Sequence, residues 1–234
     1  MQLKKIPDYL FIENVVNFEQ SECRRQLLHA CRHLGYHINE FILSPLQIGI
    51  PNDRRRYYMT AKRNLGISTN ESSFHEQILY SLTRNQPHSP VEIYPLSNYL
   101  DPNPDNFDEL KVPASYITNR YRFRYDIVQS NDTRSACFTK AYGSSHVMGS
   151  GSLIQTQGFE RIVDFHNADT LLDIGLRFFS PLEVARLHAF PIDTKDFEFP
   201  PELTVQQQWR LLGNSLNVEV VSQLMKTYLF DRKP

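Results

Sequence analysis

Eight residues into the chain, the apolar run Tyr9-Leu10-Phe11-Ile12 stops at Glu13-Asn14 and resumes with Val15. A short run rich in aromatic and β-branched residues predicts a buried strand. A carboxylate at the carboxyl end of such a strand is a candidate active-site acid, because open α/β sheets gather their chemistry there. Asn17 and Ser21 offer amino-terminal caps for a helix running to about Leu34, with Cys23, Leu27, Leu28 and Leu34 on one face and Gly35 closing it. Phe41-Ile42-Leu43 and Tyr57-Tyr58-Met59 read as two further strands around the turn-rich "SPLQIGIPND". Strand, helix, strand, strand is the grammar of an α/β domain.

From about Asn64 to Pro113 the pattern dissolves into proline, asparagine and serine, with an acidic turn-former in "LDPNPDNFDEL". A second compact region runs from "SYITNRYRFRYDIV" through "CFTKAYGSSHVMGSGSLIQ". Its glycine-serine piece at 149–152 lacks the lysine and spacing of a phosphate loop and reads as a surface turn. The last third is helical. Ser180, Pro181 and Glu183 form a capping box, a helix follows at about 204–212, and Val218, Val221, Leu224, Met225, Tyr228 and Leu229 line one face of a final helix.

Composition narrows the class. A chain of 234 residues, 41% hydrophobic and 22% charged, is one large domain or two small ones with a real core. Net charge is -1, so a basic footprint for nucleic acid has to be local. Cys23, Cys31 and Cys137 lack paired spacing, which argues for a reducing compartment, cytosol or nucleus. No apolar run reaches membrane-span length, so no membrane partner is expected. Oligomeric state is not legible.

Four places could carry chemistry: Glu13, the run Asp53-Arg54-Arg55-Arg56, Gly213-Asn214-Ser215, and Cys137-Phe138-Thr139. Strand alternation points Arg54 and Arg56 to one side and Arg55 to the other; the competing reading is a solvated basic turn. The Gly213 turn presents amides at a helix start and is either a ligand cradle or a plain cap. Cys137 has the surroundings of an inert core thiol. Arg120, Arg122, Arg124 and Lys140 interleave with aromatics, which suits either RNA backbone contacts or an amphipathic element whose aromatics face the core. His29 and His33 have zinc-compatible spacing without a third ligand, and no metal is assigned.

Taken together and in order, "ENVVNFE", "ILSPLQIGIPNDRRRYY", "CFTKAYGS", "FFSPLEVARLHAFP" and "LLGNSLNVEVV" resemble successive blocks of the cytosine-5 methyltransferase family. "CFTKAYGS" is similar to the branch that modifies transfer RNA, the tRNA-aspartate methyltransferases. The resemblance implies S-adenosylmethionine as cofactor, tRNA as partner ahead of DNA, and an anticodon-loop cytosine as target. It implies that Glu13 hydrogen-bonds N3 and N4 of the flipped base, and that Arg54 and Arg56 hold O2. It further implies that Asn214 and Ser215 close over the methyl donor, and that Cys137, Phe138, Thr139 and Lys140 belong to target recognition, with the arginines at 120, 122 and 124. The expected fold is the later part of a Rossmann-like methyltransferase sheet plus a small recognition domain. Residues 1–63 would be catalytic, 64–175 insertion and recognition, and 176–234 helices returning to the catalytic domain.

Two family features have no counterpart: the glycine loop that cradles the methyl donor, and the proline-proline-cysteine-glutamine loop that carries the nucleophile. The expectation is an amino-terminally truncated homologue with an incomplete cofactor site, inactive alone. A DNA cytosine methyltransferase and a non-catalytic RNA- or partner-binding remnant are the alternatives. "LHAFP" also places Ala189 where the family favours glycine, which restricts the backbone.

Overall fold

The computed structural model describes residues 5–63, 77–82, 91–101, 107–119, 123–144, 149–194 and 196–230. Three strands, β1 (Tyr9–Val15), β2 (Tyr36–Leu43) and β3 (Arg56–Arg63), form a sheet in the order β1-β3-β2, antiparallel throughout. Val15 and Leu43 both pair with Arg56, and Glu13 pairs with Tyr58. The start of β3 therefore sits between the ends of β1 and β2. Glu13 is not at a strand terminus as the apolar run suggested; β1 continues through it to Val15.

Alternation divides the sheet into two faces. One buries Tyr57, Met59 and Ala61 against α1 (Glu22–His33), through Leu28 and Cys31. The expected helix face was wrong at both ends: Cys23 and Leu34 are exposed. The inward stripe is 24, 27, 28 and 31. Arg24 belongs to it because its guanidinium meets the buried Glu40 carboxylate at 2.6 and 2.8 Å, and Tyr57 donates to that carboxylate at 2.6 Å. Ser21 caps α1, accepting from the Arg24 amide. Asn17 instead precedes a short 3-10 turn and makes no side-chain cap.

The opposite face carries Phe41, Leu43 and Tyr58, covered by Val220, Val221 and Leu224 of α7 (Val218–Met225). A π-helical stretch, Lys226–Phe230, extends α7.

The second sheet, β4 (Ile127–Val128), β5 (Leu153–Gln155) and β6 (Leu176–Phe178), pairs parallel and then antiparallel. Three short helices, α2 (Phe107–Leu110), α3 (Ala114–Thr118) and α4 (Ala168–Leu172), accompany it. Its core is aromatic: Tyr142 packs edge-on against Phe138, Phe178 and Trp209. Gly151 lies against the Phe138 and Tyr142 rings, and Ser150 and Ser152 are buried. Residues 150–152 are thus a core turn, with Gly149 exposed at its edge, not the surface turn expected; glycine is needed at 151 because aromatic rings occupy the Cβ position. No helix among the described residues is long and apolar enough to cross a membrane.

Helix α5 (Pro181–Leu187) has the expected capping box, and Glu183 also receives two bonds of 2.8 Å from the buried Arg177. Its far end is a Schellman motif: the Phe190 amide donates to the Ala185 carbonyl and the Ala189 amide to that of Arg186. The motif requires a left-handed residue, and Ala189 takes it at φ 58°. An L side chain there is strained by about 1–2 kcal/mol. Ala189→Gly should therefore raise stability by about 1 kcal/mol after glycine's larger unfolded-state entropy is subtracted. Urea unfolding measures it; a lower midpoint would contradict the strain.

Candidate functional site

Residues from five segments meet at the entrance of β3. Arg54 is 2% exposed. Its Nη1 donates to the Cys137 sulfur at 3.4 Å and the Phe138 carbonyl at 3.0 Å. Its Nη2 donates to the Gly213 carbonyl at 3.4 Å and to the Ser215 carbonyl. Burial, then the neighbouring Arg56 charge, lowers its pKa. Arg56 is more open: Nη2 reaches the Cys137 sulfur at 3.4 Å, Nη1 donates to the Arg55 carbonyl, and Nε lies 3.4 Å from Glu13 Oε1. Arg55 points away and is exposed, as alternation required.

Asn52 and Ser135 hold these segments together. The Asn52 amide donates to Ser135 Oγ at 3.2 Å and the Ala136 carbonyl at 2.9 Å, while Asp53 and Ser135 exchange backbone bonds with 135 and 51. Behind them, α6 (Val205–Gly213) brings Gly213 onto the 139–140 peptide; a Cβ there would fall on the Thr139 carbonyl carbon and the Lys140 nitrogen. His188, wholly buried at the end of α5, places Nδ1 3.1 Å from Ser215 Oγ.

Four atoms around this cluster are buried without a hydrogen-bond partner among the described residues: Glu13 Oε1, Asn52 Oδ1, Arg54 Nε and His188 Nε2. Glu13 Oε1 is within ion-pair range of Arg56 but not aligned as its acceptor. Orphaned polar atoms in a half-open cluster mark a place for a polar ligand.

The structure thus brings together Glu13, Arg54, Arg56, Cys137 and Ser215. Phe138 contributes its carbonyl, because its ring is in the core. Thr139 is tied by its amide to the Ser150 carbonyl, and the Lys140 side chain is exposed. Arg124 is exposed between Phe123 and the buried Tyr125, whose rings pack on each other at the core, so that element is amphipathic. Arg120 and Arg122 lie outside the described residues. Asn52, Ser135 and His188 were missed. For His188, the available signal was its place before Ala189 at a helix end. A depression of about 860 Å³ between Tyr116, Thr204 and Trp209 shares no residue with the cluster.

The model of the C-5 cytosine-specific DNA methylase family matches residues 2–229. The chain belongs to this family. It is 32% identical to a human tRNA (cytosine(38)-C(5))-methyltransferase, with 96% of this chain and 72% of the human protein covered. It is 34% identical to a Dictyostelium discoideum DNA (cytosine-5)-methyltransferase, covering 96% and 66%. A solved structure of Schizosaccharomyces pombe Dnmt2 methyltransferase superposes with a TM-score of 0.76 at 31% identity, covering 96% of this chain and 67% of that one. The chain therefore spans about two thirds to seven tenths of the length of these methyltransferases. The α/β methyltransferase fold expected from the sequence is the one it adopts, and the family is one of S-adenosylmethionine-dependent enzymes.

Of the two residues expected to close over the methyl donor, Asn214 is exposed at the α6–α7 turn. The Ser215 hydroxyl is already engaged with Leu212 and His188. The fit is partial.

Two measurements check this geometry. Alanine for glycine inside a helix normally stabilises by about 1 kcal/mol. Gly213→Ala should reverse the sign and destabilise by roughly 3 kcal/mol, because backbone occupies the Cβ position. Denaturant midpoints decide, and a stabilised variant would refute the close approach.

The second concerns pH. Burial, then the Arg54 and Arg56 charges, pushes His188 from 6.5 down to about 3. The unfolded state binds the extra proton, so the contribution is complete above about pH 6.5 and is lost as pH falls towards 3, at up to roughly 1.4 kcal/mol per unit. Melting points between pH 7 and 4.5 should fall more steeply than in His188→Asn; parallel curves would refute it.

Proposed function

We propose that this chain supplies the base-binding part of a tRNA cytosine-5 methyltransferase site and does not methylate alone. The observation that carries the reading is the convergence of Glu13, Arg56 and Cys137 on one half-open cluster braced by Arg54. In this reading 1–63 and 176–234 belong to the catalytic domain and 64–175 to target recognition.

The residues divide the work. Glu13 Oε1, an acceptor without a hydrogen-bond partner, takes a bond from the exocyclic N4 of an extruded cytosine. The protonated form of the same carboxyl donates to N3 and raises the electrophilicity of C6. Arg56 donates to O2, where charge builds as the ring is attacked. Arg54 plays a different part from the one the resemblance implied: its Nη donors face protein acceptors, so it positions Arg56 and Cys137 and leaves O2 to its neighbour. S-adenosylmethionine, when bound, supplies the methyl group for C5, and Asn214 would hold one edge of it. An anticodon-loop cytosine suits the pocket because extrusion from a loop costs least.

What the cluster lacks is a thiol on the family's proline-proline-cysteine loop, since none of Cys23, Cys31 and Cys137 follows a proline pair. The covalent step that makes C5 nucleophilic depends on such a thiol, and hydrogen bonds do not replace it. A second reading has a specific observation in its favour. Cys137 is half-buried with its sulfur 3.4 Å from both guanidiniums, which places a thiol inside the cluster itself.

The test is transfer of labelled methyl from S-adenosylmethionine to tRNA and, side by side, to duplex DNA, using the purified chain. No turnover is expected alone. Turnover restored by adding a segment that carries the proline-proline-cysteine loop, and reduced at least 100-fold by Arg56→Ala, is the expected result. Turnover by the chain alone that disappears in Cys137→Ser would refute the inactive reading and make Cys137 the nucleophile. Preference for DNA would refute the tRNA assignment.

A further inference from the structure

His188 is a buried titratable group that none of these roles uses. Its Nδ1 is 3.1 Å from Ser215 Oγ, and that hydroxyl donates its single proton to the Leu212 carbonyl at 2.6 Å. Oγ can then only accept from the ring, so Nδ1 carries the hydrogen and Nε2 is the bare nitrogen. Nε2 has no partner among the described residues, which agrees with that tautomer being fixed by one bond at Nδ1.

The turn that His188 holds is gripped from several sides. Arg54 takes the Gly213 and Ser215 carbonyls. The end of α5 takes the start of α7, through Asn217 Nδ2 on the Leu187 carbonyl at 3.1 Å and the Val218 amide on the His188 carbonyl at 2.9 Å. Ser215 is thus held by its carbonyl from one direction and by its hydroxyl from another. Fixing the hydroxyl fixes where the carbonyl points, and that carbonyl is an Arg54 acceptor.

We propose that His188 is a positioning residue: as the neutral Nδ1–H tautomer it locks Ser215, and through Ser215 it holds Arg54 on Cys137 and Phe138. The inference rests on Arg54 acting as the brace of the pocket. The plain alternative is an imidazole that only fills space, for which any side chain of similar volume would serve.

The two amide isosteres separate these. Asparagine can place an amide nitrogen near Nδ1, whereas glutamine reaches the Nε2 position and leaves Ser215 Oγ without its donor. The measurement is nitrogen-15 NMR of the full chain labelled at histidine and arginine. A neutral Nδ1–H ring at His188 from pH 5 to 8 is expected. Exchange of the Arg54 Nε proton with water should stay within about threefold of the parent in His188→Asn and accelerate at least tenfold in His188→Gln. Should His188→Gln fail to fold, Ser215→Ala removes the acceptor and leaves the ring in place, with the same acceleration expected. An Nε2–H or charged ring, or equal Arg54 exchange in the Asn and Gln variants, or no change in Ser215→Ala, would overturn the proposal. Binding of an anticodon stem-loop with cytosine, against the same loop with uracil, is measured in parallel. Absence of discrimination by the parent chain would count against the base-pocket reading, while the NMR result still decides the role of His188.

Discussion

A single buried guanidinium sets the arrangement of everything around the pocket. Burying a charge without partners costs several kcal/mol even after relaxation, so Arg54 is tolerated only where acceptors surround it. Those acceptors come from residues 137–138 and from 213–215, more than eighty residues and about 160 residues away in sequence. A planar fork with several donors can bond both segments at once; a lysine ammonium, a point charge on a flexible stem, cannot hold them in one plane. The close approach of Gly213 to the 139–140 peptide, and the Asn52–Ser135 staple, both keep the acceptors where the fork needs them.

Comparing three of the buried or half-buried ionic groups among the described residues separates architecture from candidate site. Arg24, Glu40 and Tyr57 satisfy one another beneath the sheet. Arg177 and Glu183 do the same, with the Ser180 and Asp101 amides completing the carboxylate. Neither group contains a buried side-chain atom recorded without a hydrogen-bond partner, which is how a structural network is made affordable in a low dielectric. The Glu13, Arg54 and Arg56 group is the one with unmatched donors and acceptors at its rim. The distinction lies in what is unsatisfied, not in which charges are present.

Local chemistry was legible wherever a short segment determines its own conformation. The Ser180 box, the Ser21 cap, the left-handed Gly35 and the outward Arg55 could all be read from neighbours in sequence. The errors came where a distant partner decides. Arg24 turned α1 inward because Glu40 waits there, so Cys23 and Leu34 went to solvent. Ser150 and Ser152 are buried because Phe138 and Tyr142 pack over that turn. Glu13 was singled out for an imperfect reason: it faces Arg56 through strand alternation and its pairing opposite Tyr58, not by ending β1. The part His188 plays depends on a hydroxyl 27 residues away, and no periodicity encodes that.

The same geometry says why residues 137–139 and the turn at 213–215 should be hard to separate by mutation. Cys137 and Phe138 give a sulfur and a carbonyl to the guanidinium that also grips the turn at 213–215. Their backbone is in turn fixed by Ser135 on Pro51, by Thr139 on Ser150, and by Gly213 against Lys140. A substitution that shifts residues 137–139 by even half an ångström lengthens bonds whose worth falls steeply with misalignment. Arg54 then either follows the shift, moving away from Ser215, or keeps Ser215 and loses Cys137. In both cases Arg56 loses the sulfur that orients it towards Glu13. Substitutions that touch only residues 137–139 should therefore alter the Glu13–Arg56 pair as well, because the two share one cation and its limited set of donors.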